Sequence, residues 1–161
     1  MSAGLRTPIA AIWHDIECGV YEEDLAFWRT LADACGGPVL DVGAGTGRVA
    51  LDLAAAGHDI VAVDIERELL SVLSERASGR SLDVRTVVAD ARDLSGIGDA
   101  GTFALVVVPM QTVQLLGGAR GRRAFIRSVK PLLAPGGVLA IAIANALSAF
   151  DSEFDGLPPA D

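Results

Sequence analysis

The sequence predicts an α/β fold, a doubly wound three-layer α-β-α sandwich with a mostly parallel sheet. Short apolar runs alternate along the chain with segments of helical spacing, a pattern typical of βαβ units. Two of these runs, FALVVV at 103–108 and VLAIAIA at 138–144, are entirely apolar. Strands of that composition are buried on both faces, so helices must cover either side of the sheet.

Each predicted strand is a short apolar run bounded by glycine, proline or polar residues. In chain order the strands are 39–42, 59–63, 84–88, 103–108 and 138–144. The predicted helices have apolar residues three or four positions apart and end at glycine or proline. They are 21–35, 48–56, 66–77 and 120–133. Right-handed crossovers between parallel strands leave few topologies for these elements.

The 161 residues divide into three parts. We expect an N-terminal helical arm over 1–37, a ligand-binding α/β domain over 38–146, and an acidic linker or the start of a missing C-terminal region over 147–161. The last strand, 138–144, is too apolar for an exposed sheet edge. We therefore expect further chain beside it, with a partner subunit in a homodimer or the acidic tail as the alternatives.

The net charge of −8 argues against nucleic acid as the main partner, because an acidic chain repels a phosphate backbone. A group of basic residues on the last predicted helix is the local exception. It consists of Arg120, Arg122, Arg123, Arg127 and Lys130. Their spacing favours a solvated helix face over a patch for an anionic substrate.

No apolar run approaches the ~20 residues that span a bilayer, and the N-terminus lacks the pattern of a secretory signal. The two cysteines, Cys18 and Cys35, form no CxxC pair, and no cysteine or histidine lies at metal-ligand spacing. These features predict a cytoplasmic protein with reduced thiols, without a membrane partner and without a metal.

The most informative segment is a loop with alternating glycines at Gly43, Gly45 and Gly47, directly after the first strand and before a helix. Glycine lets the backbone turn sharply and approach a ligand, and the helix behind it offers unpaired N–H groups. The second strand runs into Asp64, whose carboxylate can accept hydrogen bonds from a ribose diol. The pattern predicts a nucleoside site. The alternative is a tight turn with Asp64 as a helix cap.

The identity of the nucleoside depends on the residue after Gly47. The dinucleotide pattern GxGxxG has glycine where this chain has Arg48, which argues against an NAD(P)-dependent oxidoreductase. The sequence VLDVGAGTGR at 39–48, with Asp41 two residues before the first glycine, resembles motif I of class I S-adenosylmethionine-dependent methyltransferases. The resemblance covers about residues 20–145 and includes LLAPGG at 132–137, similar to the turn before the fifth strand of that family.

The resemblance implies a Rossmann-like methyltransferase fold that binds S-adenosylmethionine and releases S-adenosylhomocysteine. The glycine loop would wrap around the amino-acid moiety, Asp64 would bind the ribose, and Asp90 and Ala91 would meet the adenine. The residues after the fourth strand would face the reactive methyl group. The implied cofactor-binding set is Tyr21, Asp41, Gly43, Ala44, Gly45, Gly47, Asp64, Ile65, Asp90, Ala91, Pro109 and Met110. For Tyr21, simple packing at a helix start is the alternative.

The sequence also departs from the family pattern. After the fourth strand it has Val-Pro-Met-Gln at 108–111, where many amino methyltransferases have Asn/Asp-Pro-Pro-Tyr/Phe. We therefore expect a small-molecule acceptor, contacted by Gln111 and Gln114, instead of a nucleic-acid base. The terminal β-hairpin of the family fold is missing, which leaves a non-catalytic S-adenosylmethionine-binding or scaffold relative as an alternative.

No catalytic residue stands out from the sequence. His14 precedes the first predicted helix and could reach a site only if the arm folded over it. His58 comes just before the second strand, at the end of the sheet away from the expected ligand. We expect surface positions for both histidines.

Overall fold

Five parallel strands form one sheet in the order β3-β2-β1-β4-β5, within residues 7–144 that the computed structural model describes. The strands are β1 (Val39–Val42), β2 (Ile60–Asp64), β3 (Val84–Val88), β4 (Phe103–Val108) and β5 (Leu133–Ile141). The α-helices are α1 (Ile9–His14), α2 (Leu25–Cys35), α3 (Arg48–Ala55), α4 (Arg67–Gly79) and α5 (Gly118–Val129). The predicted acidic linker at 147–161 lies outside the described residues.

Two separate hydrophobic clusters confirm the three-layer arrangement. On one face, side chains of α2, α3 and α4 such as Trp28, Leu53 and Leu73 pack against β1, β2 and β4. On the other face, Phe125 of α5 and the loop residue Leu94 pack against the same strands. The sheet is therefore covered on both sides, as its apolar strands require.

The strand order reverses at β1. The chain moves outward from β1 to β2 and β3, then crosses back to place β4 on the other side of β1. In sheets of this kind a crevice opens at the carboxyl ends of the strands on either side of the reversal. The glycine loop follows β1, and Pro109 follows β4, so both sequence segments border this crevice.

Three predicted boundaries were wrong. Helix α5 ends at Val129, and a 3₁₀ turn covers Lys130–Leu132, because Pro131 has no N–H for a continuing helix. Strand β5 then begins at Leu133, five residues earlier than predicted, and passes through the Pro-Gly-Gly sequence with an irregular register against β4. Helix α2 begins four residues later than predicted, at Leu25.

The segment before α2 contains a helix and a π-helical turn whose positions the sequence did not predict. Helix α1 continues into a π-helical turn over Asp15–Gly19. Its buried Ala11 packs near Leu69 and Val72 of α4, on the outside of the α/β body. The large apolar side chains of this segment face outward instead. They are Ile9, Ile12, Trp13, Ile16 and Val20.

Within residues 7–144 no helix combines the length and apolar character that crossing a membrane requires.

Candidate functional site

A cavity of about 540 Å³ lies at the carboxyl ends of the central strands, a volume typical of sites for small ligands. Its wall is formed by the glycine loop, the ends of β2 and β4, the loop after β3 and the N-terminal segment. The residues predicted from the sequence that line it are Asp41, Gly43, Ala44, Asp64, Ile65, Asp90, Ala91, Pro109, Met110 and Gln111. The fold therefore brings together most of the predicted site.

The other predicted residues lie outside the cavity wall; they are Tyr21, Gly45, Gly47 and Gln114. Tyr21 is exposed, and its carbonyl oxygen accepts a hydrogen bond from Nη1 of Arg48 at 2.7 Å. The side-chain amide of Gln114 exchanges hydrogen bonds with the backbone of Ala144 at 2.9 and 3.4 Å. A Cβ atom at Gly47 would lie 2.6 Å from Cγ of Leu73, so this glycine allows α3 to pack against α4.

The glycine loop needs its glycines for conformational reasons. Gly43, Gly45 and Gly47 have φ angles of +77°, +55° and +95°, a region that other residues rarely adopt. A Cβ atom at Gly43 would also lie 2.5 Å from Cγ2 of Thr112. Because the fold itself explains these glycines, evidence for a ligand must come from the polar groups around them.

Asp64 holds the glycine loop against the end of β2. Its Oδ2 accepts a hydrogen bond from the backbone N–H of Gly45 at 2.8 Å, and its Oδ1 accepts one from Glu66 at 2.9 Å. The bond to Glu66 closes a turn just before α4, whose N-cap residue is Glu66, so Asp64 does not cap that helix. Each carboxylate oxygen can accept a second hydrogen bond, and Asp64 lines the cavity, so it retains acceptor capacity for a ligand.

Asp41 is the most unusual polar group in the cavity. It is 1% exposed, and neither of its side-chain oxygens has a hydrogen-bond partner among residues 7–144. Burial, reinforced by the nearby charge of Asp64, raises the pKa of Asp41 to about 7. Arg48 and the backbone N–H of Ala50 oppose this shift, although the Ala50 N–H does not reach hydrogen-bond geometry. A buried polar group without a partner is costly and rare, and Asp41 is therefore available to accept a hydrogen bond from a ligand donor.

Two further features border the cavity. Asp90 accepts hydrogen bonds from the backbone N–H of Arg92 at 2.8 Å and from its guanidinium at 2.5 Å, which lowers the pKa of Asp90. Met110 has a φ of +58°, a conformation uncommon for a residue other than glycine. Strained backbone of this kind is concentrated at binding and catalytic sites.

The N-terminal segment supplies cavity residues that the sequence did not predict. His14, Glu17 and Cys18 all line the cavity. The expected surface position of His14 is wrong, because the segment folds across the glycine loop and leaves the imidazole half-buried over Gly45. His58 lies at the other end of the sheet, as expected. Its expected surface position is also wrong, because its side chain is 14% exposed, with Nε2 3.1 Å from Oδ1 of Asp33.

Two arginine clamps, one at Arg48 and one at Arg76, hold the segment in this position. Arg76 of α4 donates to both oxygens of Asp15 at 3.1 and 2.5 Å. Arg48, at the start of α3, donates to both oxygens of Asp24 at 2.5 and 3.0 Å. The paired residues are 61 and 24 positions apart, so no local sequence pattern could have revealed them.

Residues 39–137 of the 161 match the methyltransferase domain family. This range begins with β1, contains the glycine loop and most of the cavity wall, and extends into β5. The chain belongs to the methyltransferase domain family. As a methyltransferase domain, it carries an arginine-clamped N-terminal segment ahead of the matched residues.

Relatives of this methyltransferase domain agree with that assignment. It is 37% identical over 102 residues to the cypemycin N-terminal methyltransferase of a Streptomyces species, covering 63% of this chain and 40% of that protein. It is 33% identical over 107 residues to a demethylmenaquinone methyltransferase of Clavibacter sepedonicus, covering 66% of this chain and 42% of that protein. The chain thus spans about 40% of the length of the curated relatives it matches.

The fold also matches a solved methyltransferase structure. The CcbJ methyltransferase from Streptomyces caelestis superimposes with a TM-score of 0.68 at 27% identity, covering 76% of this chain and 53% of that chain. This likeness covers a larger share of the chain than the family match over residues 39–137. The assignment of the sheet to the Rossmann-like methyltransferase fold is confirmed.

Arg76→Ala is expected to loosen the N-terminal segment without unfolding the sheet. The Arg76 and Asp15 side chains are 34% and 29% exposed, so the loss is about 1 kcal/mol, a roughly fivefold rise in the open population. Amide hydrogen exchange of residues 9–20 measures this. Arg80→Ala, at the exposed end of the same helix, is the control. Equal exchange rates in wild type and Arg76→Ala would contradict the clamp.

Proposed function

We propose that this domain binds S-adenosylmethionine in the cavity and transfers its methyl group to a small-molecule acceptor, leaving S-adenosylhomocysteine. The observation that carries the proposal is Asp41, a buried carboxyl group without a partner beside the glycine loop. S-adenosylmethionine has an ammonium group, a sulfonium centre and a ribose diol, and it has no phosphate. Its groups match a cavity lined by Asp41, Asp64 and Asp90, whereas a pyrophosphate would meet these carboxylates unfavourably.

The polar residues of the cavity can divide the ligand among them. The free acceptor capacity of Asp64 suits the ribose hydroxyls, and Asp41 suits a donor of the amino-acid portion. Asp90 and Ala91 lie where the adenine would bind, and Pro109 and Met110 face the acceptor side. Bound S-adenosylmethionine supplies an electrophilic methyl group. The domain's own contribution is to hold the two reactants in line and to exclude water.

The class of acceptor remains part of the proposal. The net charge of −8 supports a small molecule over a nucleic acid. The names of the two relatives point to different acceptors, a peptide N-terminus for one and a demethylmenaquinone for the other. The support for methyl transfer therefore comes from the shared domain, and Gln111 in the cavity wall is the candidate contact for the acceptor. The free thiols of Cys18 and Cys35 support a cytoplasmic setting.

Calorimetric titration of the chain with S-adenosylmethionine, S-adenosylhomocysteine and NADH tests the proposed cofactor. We expect binding of the first two and no binding of NADH. Binding of NADH alone would overturn the proposal in favour of an oxidoreductase. A folded sample that binds none of the three would contradict the cofactor assignment for this chain.

Asp64→Ala is expected to weaken S-adenosylhomocysteine binding by about 1–3 kcal/mol, because it leaves ribose donors without an acceptor and frees the Gly45 N–H. Asp64→Asn keeps one acceptor oxygen and should lose less. Asp59→Ala, at the opposite end of β2, is the matched control. Titration of the three variants measures the effect, and an unchanged affinity for Asp64→Ala would remove the ribose assignment.

A further inference from the structure

The imidazole of His14 lies directly on the glycine loop. An ideal Cβ atom built on Gly45 would be 2.2 Å from Nε2 and 2.3 Å from Cε1 of His14, so this edge of the ring covers the bare backbone of the loop. His14 also lines the cavity. The imidazole ring of His14 therefore lies against the bare backbone of Gly45 and also borders the cavity.

A chain of hydrogen bonds determines which ring nitrogen carries the proton. Hydrogen bonds from Arg76 and from Thr46, with burial opposing them, lower the pKa of Asp15, so its carboxylate is ionised and can only accept. The Thr46 hydroxyl donates its single proton to Oδ1 of Asp15 at 2.6 Å. The same hydroxyl lies 3.3 Å from Nδ1 of His14 and can only accept there. In the neutral ring Nδ1 therefore carries the proton, and Nε2 has a free lone pair.

The charged groups of the cavity that His14 lines favour a ligand with positive charge. Glu17 lies on the same segment as His14 and lines the cavity. Asp41 and Asp64 line the cavity at the ends of β1 and β2. Its cations are Arg48 and Arg92, and Arg92 is paired with Asp90. Arg48 is already paired with Asp24, which leaves the acidic groups in excess. An ammonium group satisfies both the lone pair and the surrounding carboxylates.

We propose that His14 is a ligand-binding residue whose Nε2 accepts a hydrogen bond from the ammonium group at the amino-acid end of S-adenosylmethionine or S-adenosylhomocysteine. The inference rests on the proposed cofactor. It gives the N-terminal segment a direct part in the site, because Asp15 and Thr46 orient the ring and the arginine clamps hold the segment over the loop.

His14→Phe tests this proposal because phenylalanine keeps a ring over the glycine loop and removes both nitrogens. The ligands are S-adenosylhomocysteine and its deamino analogue, in which hydrogen replaces the ammonium group. We expect the variant to lose ~10-fold or more in affinity for S-adenosylhomocysteine, as for a hydrogen bond to a charged group, and nothing for the deamino analogue. Equal losses for both ligands, or no loss for either, would overturn the proposal.

A spectroscopic measurement separates binding from packing. In ¹⁵N spectra of the histidine ring at alkaline pH, Nδ1 should carry the proton, and addition of S-adenosylhomocysteine should shift Nε2 far more than Nδ1. Thr46→Val should abolish the preference for the Nδ1-protonated form. A proton on Nε2, or an unmoved Nε2 signal in the complex, would overturn the assignment.

The two proposals can fail separately. If the wild-type chain does not bind S-adenosylhomocysteine at all, the proposed cofactor fails, and this inference fails with it. If the wild type binds and His14→Phe binds equally well, only this inference fails.

Discussion

Asp41→Asn is expected to stabilise the ligand-free domain at pH 8 relative to wild type, with a much smaller effect at pH 5. The folded-state pKa of about 7 lies above the ordinary value of 3.8. Between pH 3.8 and about 7, the folded protein therefore keeps a proton on Asp41 that the unfolded chain has lost. Wild-type stability therefore falls as the pH rises from about 4 to 7 and is constant above that. From pH 5 to pH 8 the relative gain of the variant is about 3 kcal/mol.

Urea denaturation at several pH values measures this difference. Asp99→Asn, an exposed position, is the control and should follow the wild-type curve. Asp41→Asn should also bind S-adenosylhomocysteine less tightly at pH 8, because the amide cannot neutralise an ammonium group. Stability curves that stay parallel across the pH range would show that Asp41 has a different environment from the one described.

Gly45→Val is expected to abolish S-adenosylhomocysteine binding while the sheet remains folded. The new Cβ atom would collide with His14, and the φ of +55° is unfavourable for a β-branched residue. The collision can be relieved by displacement of the N-terminal segment, so we expect a loss of stability of about 1–3 kcal/mol instead of unfolding.

Two matched variants separate strain from collision. Gly57 has a φ of +94° with open space around a Cβ atom, so Gly57→Val carries the conformational strain without any contact. The double variant Gly45→Ala with His14→Ala removes the collision and should recover part of the stability lost in Gly45→Ala alone. Full ligand binding by a folded Gly45→Val protein would refute the role of the loop.

The sheet could be predicted from the sequence because each strand is a local feature. The apolar runs at 103–108 and 39–42 are bounded by glycine and proline, and the structure places strands at both positions. The start of β5 was missed because the strand passes through Gly136, where the backbone geometry depends on pairing between β4 and β5. Pairing of that kind joins distant parts of the chain and leaves no local pattern.

The N-terminal segment could not be predicted because its amphipathic pattern is reversed. Ile12, Trp13 and Ile16 form an apolar face at helical spacing. Such a face is normally buried, but the structure exposes all three side chains. The polar residues His14 and Asp15 face the body because Thr46 of the glycine loop and Arg76 of α4 hold them there. Hydrogen-bond geometry outweighs the general preference for apolar burial at this position, and a single sequence contains no record of those partners.

The arginine clamps also impose an order of events on the molecule. Arg48 and Arg76 acquire fixed positions only when the unit from β1 to α4 has formed, and their partners precede them by 24 and 61 positions. Closing loops of that length costs entropy before any contact repays it, so the start of the chain docks late in folding. The element that docks last is also the one that detaches at least cost. We therefore expect release of this single segment to open the cavity while every strand of the sheet stays paired.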